Sequence, residues 1–214
     1  MFTGLIQEVG EVTRAERSAA GMVWTIRAAG IAREVKAGDS VNIAGACQTV
    51  ETVSGDSFTG TSIPETLAKT TYGNWARGQQ VNLELSLRAS DRLGGHLVSG
   101  HVDAVGHVTA IDQVGGAHNL TILFDPQYAP WTIAQGSIAI DGVSLTIARR
   151  GEQSVTVALI PETLNRTTLA SLRVGDPVNL EFDQLIKAVV QTVRSLKASS
   201  ANVTEEMLAT AGWS

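Results

Sequence analysis

The chain has one cysteine, Cys47, in 214 residues, so no disulfide can form within it and a reducing compartment is the expected setting. Aromatic residues make up 5% and charged residues 17%, the latter below the ~25% usual for soluble domains. Low charge density with 21 glycines suits a turn-rich fold that hides surface, as an oligomer does. The net charge of -5 comes with no basic block, which argues against nucleic acid or an anionic membrane and leaves a small molecule as the expected ligand. No apolar run approaches the ~18 residues that would cross a bilayer. Residues 1–12 show neither a basic opening nor an uninterrupted apolar stretch, so no secretory leader is expected and the reading is a cytoplasmic protein without membrane contact. Walker loops, G-x-S-x-G elbows and G-x-G-x-x-G fingerprints are missing as well.

What the chain does have, it has twice. Gly45-Ala46-Cys47-Gln48-Thr49-Val50 reappears as Gly142-Val143-Ser144-Leu145-Thr146-Ile147, and Ile63-Pro64-Glu65-Thr66-Leu67 as Ile160-Pro161-Glu162-Thr163-Leu164, both displaced by 97 positions. Val81-Asn82-Leu83-Glu84 returns as Val178-Asn179-Leu180-Glu181 at the same offset, and Thr3-Gly4 as Ser99-Gly100 at 96. A period this long exceeds the ~20–50 residue units of solenoids and propellers. It marks a duplicated domain, with expected boundaries of 1–97 and 98–183 and a tail at 184–214.

Apolar and polar residues alternate over 40–43, 48–53, 81–87, 105–111, 120–124, 137–140, 144–148, 154–160 and 177–182, with Gly, Asp and Asn between the runs. Period two predicts half-buried antiparallel strands, about six in each half. So many short strands hide their edges best by closing, so the expected fold is all-β, two small tandem barrels. Pro64 and Pro161 each open a short helical turn, where a missing N–H is harmless. Leu185, Ile186, Val189, Val190, Val193 and Leu196 follow helical spacing over 184–197, with no counterpart after the first barrel. Such a stripe packs either on its own barrel or on another subunit. A second short helix is expected over 204–212, capped by Thr204.

Four histidines, His96, His101, His107 and His118, fall in one stretch, which raises a metal site. His96 and His101 would face opposite sides of an extended strand, and His101 and His107 would lie ~20 Å apart, so neither pair chelates locally. A Cys47–His101 nucleophilic pair is open on sequence alone, since the fold assembles such pairs. The repeat favours another reading: Cys47 matches Ser144 and Thr49 matches Thr146, which looks like two ligand-binding sets. Asp183 and His101 break the repeat, standing opposite Ser86 and Leu5.

Four segments resemble the riboflavin synthase family of the alpha-chain type: Met1-Phe2-Thr3-Gly4-Leu5-Ile6, Gly94-Gly95-His96-Leu97-Val98-Ser99-Gly100-His101-Val102-Asp103, Gly136-Ser137-Ile138-Ala139-Ile140-Asp141-Gly142-Val143-Ser144-Leu145-Thr146 and Ile160-Pro161-Glu162-Thr163-Leu164. The resemblance implies two six-stranded Greek-key barrels and a homotrimer held by the C-terminal helix. It also implies dismutation of two 6,7-dimethyl-8-ribityllumazine molecules without a metal or redox cofactor. One pocket is then expected to hold Cys47, Thr49, Ile63 and Thr66 with His101 and Val102, and the other Ser144, Thr146, Ile160 and Thr163 with Ile6. The resemblance also places Phe2, Cys47, His101, Ser144 and Asp183 in catalysis, and Thr3, Gly4 and Gln135 among substrate contacts. Three positions depart from the family pattern: Ala44 for Asn, Gln48 for Leu, and Gln135 for a basic residue. The competing readings are a lumazine- or flavin-binding protein that has kept binding and lost turnover, and a barrel flavoprotein of the reductase type.

Overall fold

The structure, a computed structural model, describes residues 1–114, 117–200 and 210. The first half contains β1 (Glu8–Ser18), β2 (Gly21–Arg27), α1 (Ala29–Glu34), β3 (Ser40–Ile43), β4 (Ala46–Thr49), β5 (Thr52–Ser54), β6 (Ser57–Ser62), α2 (Pro64–Lys69) and β7 (Gln80–Leu85). The second contains β8 (Ala104–Val114), β9 (Ala117–Leu123), β10 (Ser137–Ile140), β11 (Val143–Arg150), β12 (Ser154–Leu159), α3 (Pro161–Arg166) and β13 (Pro177–Phe182), followed by α4 (Gln184–Ser200).

The second half closes completely, in the cyclic order β10-β11-β12-β9-β8-β13. The first runs β4-β3-β7-β1-β2-β6-β5, which is the same cycle with one strand split, because β4 and β5 together occupy the position of β11. The expected single strand over 48–53 is therefore divided. Val50 turns into the core, its N–H donating to the Asp39 carbonyl and its own carbonyl accepting from Gly38. Ile147 makes the equivalent pair of bonds with Gly136 and Gln135, and there the register shifts between Ile147 and Arg149. Both copies bend at this point so that one strand can pair with two neighbours around a tight barrel. Strands 40–43, 137–140 and 177–182 stand where the alternation puts them. The expected helix over 204–212 falls outside the described residues except at Thr210.

Each barrel encloses its own core. Trp24, Ile26 and Phe58 centre the first, with Trp24 edge-on to Phe58 at 5.9 Å. Ile122, Ile138, Ile140 and Phe182 centre the second. At the seam between barrels the duplication becomes reciprocal: Asn179 accepts from Thr71 N–H and Asn82 from Thr168 N–H, each at 2.8 Å. Asn179 also donates to the Ala44 carbonyl and Asn82 to the Asp141 carbonyl.

α4 begins on its own barrel, where Asp183 caps it by accepting from Leu185 N–H at 2.8 Å. Beyond that, Val189 and Val193 remain 60% and 46% exposed, so much of the apolar stripe lies open on the chain. No helix among the described residues is long and apolar enough to cross a membrane.

Candidate functional site

Alternation along β4 and β11 decides which side chains meet the barrel interior. Ala46 and Gln48 point inward in β4, as do Val143, Leu145 and Ile147 in β11, so Cys47, Thr49, Ser144 and Thr146 lie on the outer faces. Gln48, one of the departures from the family pattern, spends its amide inside: its Oε1 accepts from Ser62 Oγ at 2.8 Å, and Ser62 Oγ accepts from Trp24 Nε1 at 3.0 Å. Its Nε2 donates to the Cys47 carbonyl at 2.8 Å, so the side chain ties the core to the base of the face that carries Cys47.

The outer faces are covered by the segment that leads into the other barrel. The Gly100 carbonyl accepts from Cys47 N–H, and the Gly4 carbonyl accepts from Ser144 N–H, both at 2.8 Å. Only glycine allows this approach. Gly4 and Gly100 have φ of 76° and 81°, and a Cβ on either would lie 2.5 Å from Ser144 Cβ or 2.6 Å from Cys47 Cβ. The two lead segments also pair with each other, through Phe2 N–H to the Val98 carbonyl at 2.7 Å and Val98 N–H to the Phe2 carbonyl at 3.1 Å.

Two buried glutamates, each 2% exposed, anchor these segments. Glu181 accepts from the N–H groups of Ser99, Gly100 and His101 and from Ser99 Oγ at 2.6–3.1 Å. Glu84 accepts from Thr3 N–H, Thr3 Oγ1 and Gly4 N–H at 2.6–3.0 Å. Burial raises the pKa of both carboxyls, and the converging donors pull the other way. Sequence reading passed over both residues as anchors. The signal was an acid repeated at one strand register in both copies, where burial demands a partner.

On the N-terminal side these contacts border an open cleft of about 510 Å³ lined by Cys47, Gln48, Ile63, Thr66, His101 and Val102. The structure thus gathers the expected set, except that exposed Thr49 lies outside the lining. The C-terminal set is open. Thr146 and Ile160 are exposed on the outer face, and the neighbouring concavity of about 700 Å³ is lined by Thr3, Ile6, Arg88 and Arg166 but by none of Ser144, Thr146, Ile160 and Thr163.

Ser144 has a partner that sequence reading used only to test for a metal. His96 Nδ1 lies 2.7 Å from Ser144 Oγ, while its buried Nε2 has no partner among the described residues. Burial lowers the His96 pKa, and the nearby Asp183 carboxylate pulls it up. Neutral imidazole can therefore accept the Ser144 proton or donate to its oxygen, depending on tautomer. Asp183 itself is held by its cap at α4.

Three further expected residues are held by partners of their own. Phe2 is 0% exposed, packed with Val98 and Ala139 against Cys47 beneath the lead segments. Thr3 spends both its N–H and its hydroxyl proton on Glu84. Gln135 occupies a turn at φ 62°, its N–H bonded to the Ile147 carbonyl, and lines neither cavity.

Residues 3–86 and 99–183 each match the model of the lumazine-binding domain. The riboflavin synthase of Bacillus subtilis is 36% identical over 97% of this chain and 95% of its own. That of Actinobacillus pleuropneumoniae is 37% identical over the full length of both. Among solved structures, LumP in complex with riboflavin superposes with a TM-score of 0.78 at 24% identity, covering 85% of this chain and 99% of LumP, which shows the same fold.

Proposed function

This chain belongs to the riboflavin synthase family, and from that premise we infer that it converts two molecules of 6,7-dimethyl-8-ribityllumazine into riboflavin and 5-amino-6-ribitylamino-pyrimidinedione. The reaction moves four carbons. One lumazine gives them up and becomes the pyrimidinedione, the other receives them and becomes riboflavin, and no external oxidant or reductant enters the balance. The observation that carries this reading is the reciprocal cover of two equivalent outer faces, Gly100 over Cys47 and Gly4 over Ser144. A duplicated fold offers one substrate two similar seats, as a reaction between identical molecules requires. Holding two reactants in register can supply up to roughly 7–11 kcal/mol of a barrier.

Roles follow from position. His101 and Cys47 face the N-terminal cavity and move protons at the acceptor, Ser144 and Thr146 orient the donor ring, and His96 holds the Ser144 hydroxyl. Asp183 serves the ribityl hydroxyls or proton traffic beside His96. The open C-terminal face needs a cover that one chain does not supply. The N-terminal cavity of a neighbour in a homotrimer assembled through α4 would bring the two substrates face to face. A cytoplasmic setting fits the single unpaired cysteine.

Purified protein incubated with the lumazine alone should develop the absorbance of riboflavin without added cofactor. Lumazine that binds and stays unchanged would instead make the chain a binding protein. His101→Gln should lower kcat about 100-fold while equilibrium binding of lumazine changes less than about threefold. Equal losses in both would remove His101 from proton transfer.

A further inference from the structure

The segment that carries His101 ends at Asp103, where the first turns of α4 touch the second barrel. Lys187 Nζ lies 2.8 Å from both carboxylate oxygens of Asp103. Phe182 N–H donates to the same carboxylate at 2.9 Å, and Asp103 N–H donates to the Leu180 carbonyl at 2.8 Å. The two charged side chains are 13% and 16% exposed, and the ammonium stands 5.8 Å from the centre of the Trp131 ring. The first barrel makes the same clip without charge: Gln7, the counterpart of Asp103, accepts from Leu85 N–H at 2.8 Å and donates its own N–H to the Leu83 carbonyl at 2.9 Å. A neutral amide therefore suffices for the clip. The carboxylate stands only in the copy to which α4 adds a lysine.

We propose that Lys187 is a positioning residue that, through its ion pair with Asp103, holds residues 99–103 over Cys47 and so ties the N-terminal cavity to α4. A carboxylate left unpaired in this largely dry place turns toward water. It would then release Phe182 N–H and slacken the two residues before it, His101 and Val102, together with the Gly100 carbonyl on Cys47 N–H. The proposal deepens the synthase reading, and only its turnover readout rests on that reading.

Cys47 is the one cysteine, so its alkylation by iodoacetamide in the folded full chain reports on the cover. Lys187→Met should raise that rate about fivefold or more, as local opening exposes the thiol. It should also lower kcat about 10-fold through misplacement of His101. Lys187→Arg keeps the pair and should stay within about twofold of the parent on both readouts. An unchanged Cys47 rate in folded Lys187→Met overturns the proposal, whatever happens to turnover. If Lys187→Met does not fold, Lys187→Gln, which likewise leaves the Asp103 carboxylate without a cation, takes its place with the same expected rise and the same overturning result. A parent chain without turnover, but with the Cys47 rates differing as expected, would count against the synthase reading alone.

Discussion

Asp141 and Ala44 hold equivalent turn positions with φ of 45° and 42°, a region that favours Asn, Asp or Gly. An Asn at 44, as in the family pattern, would relieve the backbone, so the alanine is a local cost whose reason the structure does not show. Asp141 suits the turn but places an ionisable carboxyl at the seam, its Oδ1 accepting from Asn179 N–H at 2.8 Å. Half-buried by area yet surrounded by both barrels, its carboxyl is pushed from 3.8 up to about 7 by desolvation, against the pull of that bond. The folded chain therefore keeps a proton that the unfolded chain releases near its ordinary value. Stability falls as pH rises between these two values and stays low above them. Asp141→Asn keeps the turn and an acceptor, so thermal melting at pH 8 should show it more stable than the parent by about 2 kcal/mol, or about 4–8 °C. The advantage should vanish near pH 4. A difference independent of pH would mean that Asp141 is charged in the folded chain without penalty.

At the scale of elements, the strands were legible because alternation is local: each residue's face follows from its neighbours two positions away. The repeat, in turn, matched Cys47 with Ser144. It did not show that the 48–53 strand would bend at Val50, because the bend serves pairing with β3 on one side and β6 on the other. Nor did it show what covers the faces. That depends on Glu84 and Glu181 drawing the lead segments down and on the missing Cβ at Gly4 and Gly100. Gly100→Ala should lower stability by about 2 kcal/mol or more and abolish most turnover, since it adds both backbone strain and a clash with Cys47. Gly38→Ala is the control. Gly38 has φ 94° with open space around it, so melting should show a loss of only about 1 kcal/mol with turnover intact. Equal effects of the two would show that close approach at Cys47 has no functional weight.

For the whole molecule, the surfaces left open on one chain are the C-terminal face around Thr146 and Ile160 and the stripe of α4 at Val189 and Val193. In the proposed trimer both are covered. Val189→Glu combined with Val193→Glu should shift sedimentation from trimer to monomer and lower turnover at least 10-fold, because a charge in an apolar contact costs several kcal/mol. Lumazine binding at the N-terminal cavity should persist. A parent chain that sediments as a monomer with full turnover would refute assembly through α4.

The amino-acid order alone determined the duplication, the all-β alternation, the amphipathic tail and the family, because each is a pattern of residue types at fixed spacing. Tertiary structure decided the rest. It buried Phe2 against Val98 and Ala139, joined His96 to Ser144, spent Thr3 on Glu84, and laid each lead segment over the opposite barrel. Those outcomes turn on hydrogen bonds and steric gaps between residues about 50 to 140 positions apart, and no local periodicity encodes which distant backbone will come to fill a gap.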